Sequence, residues 1–238
     1  MKSFYNLKIL YEDLDLIIID KPSNFITHSN YKIKNLTLVN FLLLKGYCLS
    51  YLNNINKQGL IHRLDKNTTG IIIIAKYNSI HINLCEQIQN YIVIKYYLAL
   101  LYKNPSSYMG YIKTKIKNDI NTRVNFKYAL TYYKVIKLFE NKMFSLIKCK
   151  LKTGRTHQIR KHMKKAKMPI LGDIFYASSY NYNTNFTSSN KINKKILFIN
   201  TYCLQSYSVE FLHPRSNSIL NLKILLNNSI SQIINLMK

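Results

Sequence analysis

The hydrophobic pattern of this chain is most informative where a polar segment meets an apolar one. Residues 62–70 are polar and charged, and they lead into four consecutive isoleucines at residues 71–74. A run of β-branched residues after a turn-forming Thr-Thr-Gly predicts a strand that is buried on both faces. Asp65 lies in the turn just ahead of this strand, and such a rigid support suits a catalytic carboxylate. The alternative is that Asp65 only pairs with Arg63 or caps the turn.

Similar patterns predict the elements on either side of this central strand. Residues 5–21 predict a hairpin whose second strand ends at Pro22, because proline lacks the N–H that a strand ladder requires. Residues 37–45 have helical spacing, with Thr37 as the cap and Gly46 as the end. Further strands are predicted over residues 92–101, 129–138, 143–151, 204–211 and 219–226, helices over residues 78–90 and 229–237, and loops over residues 103–127 and 178–195. Since strands outnumber helices and many neighbours look hairpin-connected, we predict an α+β fold around a mixed, mainly antiparallel sheet flanked by helices.

Two adjacent tyrosines, Tyr96 and Tyr97, fall on one of these predicted strands. Successive side chains of a strand point to opposite faces, so one tyrosine is expected in the core and the other on the opposite side. Core packing with a satisfied hydroxyl is the simpler interpretation of either residue when it is considered alone.

A second polar segment, residues 153–162, predicts a turn that opens into a helix. Thr153 or Thr156 can serve as the N-cap. Cations oppose the dipole at a helix N-terminus, so their presence there favours a functional interpretation. Together with backbone N–H groups they would form an anion site for phosphates or for a carboxylate such as Asp65. The cations in question are Arg155, His157 and Arg160. The alternative is an exposed basic helix turn, which is ordinary in a cationic protein.

The remaining polar residues exclude several kinds of site. Asp173 lies beside a glycine-marked turn at residues 169–173 and is expected to act as a turn or capping residue. No His, Asp and Glu cluster has the spacing of metal ligands, and no nucleophile elbow or phosphate-binding glycine loop is present. No metal site is therefore predicted.

The charge of the chain indicates a polyanionic partner. Lysine and arginine number 35 against 10 acidic residues, which gives a formal net charge of +25. Nucleic acid is the first candidate and an anionic membrane surface the second. The heavy use of Lys, Asn, Ile and Tyr is also typical of an AT-rich genome, so the charge alone is supportive evidence only. A membrane role is disfavoured because no strongly amphipathic basic helix and no apolar run of about 18 residues is found.

The cysteines and the N-terminus bear on the compartment. Cys48, Cys85, Cys149 and Cys203 are scattered, which indicates reduced core thiols and argues against a zinc site. Acidic residues interrupt the first apolar stretches, so the N-terminus does not resemble a secretory signal. We expect a soluble cytoplasmic protein. An organelle is the alternative, if a short targeting extension has been removed.

Taken together, the motifs resemble the RluA family of pseudouridine synthases. The segment His62-Arg-Leu-Asp-x-x-Thr-x-Gly70 looks like the catalytic signature of that family. Six other motifs appear in the order of the family, over roughly residues 7–237. They are Tyr11-Glu-Asp with Asp20-Lys-Pro22, Lys95-x-Tyr-x-Ala99, Ala129-x-Thr-x-Tyr-x-Val135, Thr153-Gly-Arg-Thr-His-Gln-Ile-Arg-x-His162, Pro169-Ile-Leu-Gly-Asp-x-x-Tyr176, and a final segment ending at His213-Pro214.

The resemblance assigns roles to individual residues. It makes Asp65 the catalytic carboxylate, Tyr97 the active-site tyrosine and Arg160 the arginine that pairs with the carboxylate. By the same motifs, the candidates for substrate and RNA binding are His62, Arg63, Thr69, Lys95, Arg155 and His157. Three positions depart from the family pattern: Thr69 for Ser, Asn24 for Gly and Gln205 for His. Asn24 can still adopt a left-handed turn conformation.

The resemblance also implies an activity and its requirements. The expected protein is one catalytic domain over residues 1–238 with a central active-site cleft. A separate N-terminal RNA-binding domain is not expected, because the catalytic pattern starts almost at residue 1. It would convert uridines of ribosomal or transfer RNA to pseudouridine without a cofactor, and a monomer is expected. A non-catalytic RNA-binding or ribosome-assembly protein on the same fold is the alternative, although binding alone does not require a carboxylate such as Asp65.

Overall fold

The structure, a computed structural model, describes residues 7–28, 36–52, 55–118, 125–139, 143–178 and 201–237. The chain forms two compact units, Met1–Ile94 with Ser206–Leu225 and Lys95–Gln205 with Leu226–Lys238. One catalytic domain over the whole chain stays a prediction, since two such units can belong to a single domain. The strands are β1 (Lys8–Glu12), β2 (Leu16–Lys21), β3 (Thr69–Ala75), β4 (Ile94–Tyr102), β5 (Met109–Asn118), β6 (Asn125–Leu138), β7 (Phe144–Leu151), β8 (Leu204–Leu212) and β9 (Ile219–Lys223). The helices are α1 (Leu38–Leu44), α2 (Asn78–Gln89), α3 (Gln158–Lys165) and α4 (Asn228–Leu236), and Ile55–Lys57 forms a short 3-10 turn.

The first unit is organised around β3, as the sequence predicts. Every residue of β3 is buried. The strand order is β1-β2-β3-β8, and β9 pairs with β8. Ile73 lies opposite Ile18 of β2, and one core cluster joins these two residues to Leu84 of α2 and Phe211 of β8. Complete burial of such side chains contributes about 1.5–3 kcal/mol each, so the core makes β3 a rigid support.

Several local predictions for the first unit are confirmed. The antiparallel pair of β1 and β2 is the predicted hairpin, and β2 ends directly before Pro22. The side chain of Thr37 caps α1 by accepting a hydrogen bond from the Asn40 N–H. Asn24 has a φ of 60°, the left-handed conformation expected where the family uses glycine.

Gly70 allows β3 to lie against β8. Its φ is +105°, and a Cβ added to it would overlap the backbone carbonyl oxygen of Ser206. The hydroxyl of Ser206 donates a hydrogen bond to the Ile71 carbonyl oxygen at 3.0 Å. Glycine is therefore required here both by the backbone conformation and by the space available.

The second unit contains the strand order β4-β7-β6-β5, and each of these neighbouring pairs is antiparallel. The N–H of Leu100 in β4 donates to the carbonyl of Cys203, just before β8. The predicted loop over residues 103–127 is wrong in its central part, because Met109–Asn118 forms β5 and pairs along its length with β6. Strand β6 accordingly begins at Asn125, before the predicted start.

Helix α3 begins later than the sequence predicts. The residue at its N-cap position is His157, which has a φ of 55° and makes no capping hydrogen bond through its side chain. Neither Thr153 nor Thr156 is the cap, so that prediction is wrong. The hydroxyl of Thr153 instead donates to the side-chain oxygen of Gln158, which also accepts the N–H of Arg155. The side chain of Gln158 therefore stabilises the turn that precedes the helix and does not cap the helix itself.

The C-terminal predictions are largely confirmed: α4 is the expected last helix, and β9 ends at Lys223, three residues before the predicted end. The turn at residues 140–142 and nearly all of the loop at residues 178–195 lie outside the described residues. All four cysteines are free thiols: Cys149 and Cys203 are buried, whereas Cys48 is exposed, so the core prediction is wrong for Cys48.

No helix in the described part of the chain combines the length and apolar composition that crossing a bilayer requires. Helix α3 is basic and amphipathic, contrary to the sequence-based expectation. Its apolar side is buried through Ile159 and Met163, so that side packs inside the protein.

Candidate active site

The turn that carries Asp65 is fixed by backbone hydrogen bonds. The hydroxyl of Thr27 donates to the Leu64 carbonyl at 2.6 Å. The Thr68 N–H donates to the Asp65 carbonyl at 3.1 Å, and β3 begins at the next residue. The backbone is therefore held on both sides of a half-buried carboxylate, as a group that must be aimed at a substrate requires.

Lys21 is a functional candidate that sequence reasoning missed. It is fully buried, and its Nζ donates to the carbonyl oxygens of Pro22 and Phe25 at 2.9 Å and of Lys66 at 3.1 Å. The last of these residues directly follows Asp65. Lys21 therefore ties the end of β2 to the turn of the carboxylate. The motif Asp20-Lys-Pro22 was the signal that could have revealed it.

Three effects act on the charge of Lys21. Burial lowers its pKa to about 7, and the negative charges of Asp65 and Asp20 oppose that effect. An ammonium supplies an N–H to each of the three carbonyls, whereas a neutral amine has only two, so these hydrogen bonds also favour the protonated form. The nearby carboxylate of Asp65 thus favours the protonated form of Lys21.

The two basic residues just before Asp65 have defined partners. The Nε2 of His62 accepts the N–H of Ile73 at 3.1 Å, which leaves the proton of the neutral ring on Nδ1. An Nη1 of Arg63 lies 3.2 Å from the Nε2 of His28. Burial, followed by the nearby charge of Arg63, lowers the pKa of His28 to about 4, so this imidazole is neutral and accepts from the guanidinium. Arg63 itself is exposed, and Thr69 is buried.

In the second unit, Arg160 forms a two-point ion pair with Asp173. Its Nε lies 2.7 Å from Oδ2 and its Nη2 lies 2.9 Å from Oδ1, and both side chains are buried. The guanidinium also lies 4.8 Å from the ring centre of Tyr176 and 4.4 Å from that of Tyr202. Parallel hydrogen bonds of this kind fix the plane of a guanidinium.

Asp173 combines the predicted role with one that was not predicted. It accepts the Tyr176 N–H at 3.1 Å, which confirms it as a turn-capping residue. The ion pair with Arg160 was missed, because the two residues lie 13 positions apart on a helix and in a turn. The pairing of Arg160 with Asp65 stays a prediction.

The other cations of this segment each have a hydrogen-bond partner within the protein. Arg155 is exposed, and its Nε donates to the Tyr128 carbonyl at 3.1 Å. The Nδ1 of His157 lies 3.0 Å from the hydroxyl of Tyr176. The side-chain oxygen of Gln158 also accepts the backbone N–H of Arg155, so this N–H is already hydrogen-bonded within the turn.

Strand β4 carries the two remaining candidates on one face. Tyr97 is buried, and Tyr96 on the opposite face is partly exposed, as the strand period predicts. Lys95 is partly exposed as a residue, but the protein around its ammonium lowers the pKa to about 8 by desolvation. The first unit thus holds His62, Arg63, Asp65 and Thr69, and the second holds Lys95, Tyr97, Arg155, His157 and Arg160.

The structure also brings together a cluster of acidic and histidine side chains that spacing along the sequence does not predict. Side-chain oxygen and nitrogen atoms of Asp13, Asp15 and His213 all lie within 4.8 Å of one another, although His213 is about 200 positions from the two aspartates in sequence. Arg215 hydrogen bonds to Asp15 and holds the pKa of that carboxyl below its usual value. Asp13 accepts from the Tyr11 hydroxyl and lies 2.8 Å from His213. The cluster therefore acts as a cross-link between the β1–β2 turn and the end of β8.

Comparisons with known proteins bear on this geometry. The family model described as RNA pseudouridylate synthase matches residues 15–165. The chain is 36% identical to an uncharacterized RNA pseudouridine synthase of Aquifex aeolicus over 87% of its own length and 66% of that relative, so it spans slightly less than two thirds of it. It is 33% identical to ribosomal large subunit pseudouridine synthase D of Buchnera aphidicola, over 94% of this chain and 74% of the relative. The corresponding protein of Blochmanniella floridana is 34% identical over 98% of this chain and 73% of the relative.

The fold is similar to that of human RNA Pseudouridylate Synthase Domain Containing 4, with a TM-score of 0.71 and 22% identity over 96% of this chain and 92% of that chain. This likeness confirms the predicted α+β fold class. The sequence match spans more than half of the chain, and its range includes Asp65, Tyr97 and Arg160. The resemblance inferred from the motifs is confirmed, and the chain belongs to the RNA pseudouridylate synthase family.

Proposed function

We propose that this protein is an RNA pseudouridine synthase that isomerises uridines in large-subunit ribosomal RNA. Family membership supports the reaction, and two relatives named for the large ribosomal subunit support the substrate. The observation that carries the proposal is the position of Asp65, on a turn that is fixed by its backbone and supported by a buried strand. A protein that only binds RNA has no need to hold a carboxylate in this way.

The reaction exchanges one bond for another within the same nucleotide. The bond between N1 of uracil and C1′ of ribose breaks, the base turns, and a bond forms between C5 and C1′. C5 loses its proton and N1 gains one, so atoms balance without a cofactor. Asp65 acts on the sugar–base bond, either by attack on C1′ or by removal of the 2′ proton in a glycal route.

The other candidates support this carboxylate. Lys21 positions the Asp65 turn through its hydrogen bond to the Lys66 carbonyl. Tyr97 stacks on the uracil ring and assists the proton transfer from C5. Arg160, oriented by Asp173, pairs with Asp65; a guanidinium has five N–H donors, enough for two carboxylates.

The remaining cations bind the RNA backbone. The uridine must leave its stack, which costs a few kcal/mol. Phosphate contacts and the counterions that they release offset that cost. We assign these contacts to Arg63, Arg155, His157 and Lys95. His62 and Thr69, on either side of the Asp65 turn, would contact the same RNA.

The proposal is tested with transcripts of large-subunit ribosomal RNA. Wild-type protein is expected to create carbodiimide-dependent reverse-transcriptase stops at defined uridines, and Asp65→Asn is expected to create none while it still binds the RNA. Glu210→Gln, which changes a partly exposed carboxylate hydrogen-bonded to Asn221, is the matched control and retains activity. Normal conversion by Asp65→Asn would contradict the mechanism. Absence of stops with wild-type protein on ribosomal and transfer RNA alike would favour a non-catalytic RNA-binding protein.

A further inference from the structure

One face of the sheet in the second unit carries aromatic and basic side chains together. We call it the Tyr96 face. The register places Tyr96 beside Lys150, Lys150 beside Tyr132, and Tyr132 beside Tyr111, so the row crosses β4, β7, β6 and β5. The rings of Tyr111 and Tyr132 lie 6.2 Å apart at 55°. Because side chains at these paired positions point the same way, the four residues form one continuous surface.

The Tyr96 face is distinct from the face that carries Tyr97. On the Tyr97 side, His162 of α3 lies 2.9 Å from the hydroxyl of Thr131 in β6 and 3.1 Å from that of Thr114 in β5. Helix α3 therefore covers that side. The proposed catalytic tyrosine and the Tyr96 face belong to opposite surfaces of the same strands.

The aromatic rings of the Tyr96 face are accessible to solvent. Tyr111 is 66% exposed, Tyr128 61% and Tyr132 42%. Tyr111, Tyr132 and Lys150 help to line an open groove of about 440 Å³. Burial of such rings would normally stabilise a fold, so a row of exposed rings marks a surface suited to a ligand.

The charge of this face is of one sign. By the strand register its lysines are Lys113, Lys115, Lys117, Lys134, Lys137, Lys148 and Lys150. Strands β4 to β7 contain no aspartate or glutamate. The complementary partner is therefore an anion, and the length of the row requires an extended one.

The lysines are placed beside the rings. The Nζ of Lys148 lies 3.9 Å from the ring centre of Tyr96. Those of Lys113 and Lys115 lie 5.7 Å and 5.4 Å from the ring centre of Tyr128. Alternating π surfaces and cations match the alternating bases and phosphates of an unpaired strand, whereas a duplex offers its phosphates but hides its base faces.

We propose that the Tyr96 face is a second RNA-binding surface, which holds a single-stranded segment by stacking bases on Tyr111 and Tyr132 and by contacting phosphates through lysines such as Lys148 and Lys150. It extends the proposed function but does not depend on Asp65, since binding can be measured without conversion. In a full substrate it would hold RNA that flanks the modified uridine.

The test uses RNA without uridine, so that a uridine pocket does not contribute specific binding. Binding of a fluorescein-labelled 12-nucleotide oligocytidylate is compared with that of a 12-base-pair RNA duplex. Tyr111→Ala is expected to weaken single-strand binding about 5-fold or more, and the double variant with Tyr132→Ala about 25-fold if the rings act independently. Tyr51→Ala, at an exposed tyrosine in the first unit, is the matched control and leaves binding unchanged. Phe at both positions is expected to restore binding, which also checks that the alanine variants lose stacking rather than structure.

Salt dependence tests the lysines separately. Lys148→Gln with Lys150→Gln is expected to lower the slope of log affinity against log salt by about 0.7 for each phosphate that the variant no longer neutralises. Lys8→Gln with Lys45→Gln, two exposed lysines of the first unit, removes the same charge and leaves the slope unchanged. Pseudouridine formation on a minimal stem-loop should be unaffected by changes on the Tyr96 face, and KM should rise only for substrates with single-stranded flanks.

Three results would overturn this proposal. Unchanged oligocytidylate binding by folded Tyr111→Ala/Tyr132→Ala protein would remove the stacking role. Equal weakening of duplex binding would indicate a plain basic patch. A change from dimer to monomer in sedimentation, with unchanged RNA binding, would assign the face to a second copy of the chain. Failure of Asp65→Asn to block conversion would contradict the proposed mechanism alone.

Discussion

The ion pair of Arg160 and Asp173 offers a sharp test of the site in the second unit. Asp173→Asn keeps the size of the side chain and the acceptor for the Tyr176 N–H, but it removes the negative charge. The two side chains are 9% and 1% exposed, so Arg160 would lose its charged partner in a buried environment. Loss of one member of a buried pair costs about 3–5 kcal/mol. At about 2–4 °C per kcal/mol for a chain of this size, the melting temperature should fall by about 6–20 °C.

Urea unfolding and thermal melting of Asp173→Asn measure this cost. Glu12→Gln is the control, because Glu12 pairs with Lys76 at 2.9 Å on the surface with side-chain exposures of 35% and 17%. Such surface pairs contribute about 1 kcal/mol or less. If Asp173→Asn unfolds within about 1 kcal/mol of wild type, the ion pair does not fix Arg160 and our account of its orientation is wrong.

Three further predictions concern the supports of the site. Burial, and to a smaller extent the positive charge of Lys165, lowers the pKa of His162 to about 4. Between pH 6.5 and 4 the unfolded chain therefore binds a proton that the folded chain does not, so stability falls as pH falls, and denaturant titrations should show a smaller fall for His162→Gln. Gly70→Ala should lower the free energy of unfolding in urea by about 3 kcal/mol or more, because a positive φ and an overlap with the Ser206 carbonyl act together. Gly154→Ala is the control and should lower it far less, because nothing lies within 4 Å of the added Cβ. Equal losses of stability in the two variants would contradict this explanation. Lys21→Met should lower the free energy of unfolding by about 3 kcal/mol, because three carbonyls lose their hydrogen-bond donor. The variant that remains folded should also convert uridine more slowly. A stable, fully active variant would refute the positioning role of Lys21.

The sequence predicts the parts of the fold that depend on local pattern. The isoleucine run of β3 and the cap at Thr37 are both local signals, and both are confirmed. Strand β5 was missed because its lysines resemble those of a basic loop. On its other face Ile116 is buried and Thr114 lies 3.1 Å from His162 of α3. This alternation identifies a strand only once the pairing of β5 with β6 is known.

For the site, too, the sequence predicts candidate residues but not the contacts between distant segments. Motifs identify Asp65 and Arg160 as candidates, but they do not show which acid orients the guanidinium. The pair with Asp173 and the contact between Asp13 and His213 arise when distant segments pack, and neither follows from spacing along the chain. The buried position of Lys21 is also a tertiary property, because its three carbonyl partners come from two separate turns.

The central claim is that the carboxylate of Asp65 carries out the isomerisation. Release of tritium from RNA that contains [5-³H]uridine measures this directly, since C5 must lose its hydrogen when the new bond to C1′ forms. With enzyme in excess over RNA, wild-type protein is predicted to release tritium and to form pseudouridine in equal amounts. Asp65→Asn, bound to the same RNA, is predicted to release none. Tritium release by that variant at the wild-type rate would contradict the account.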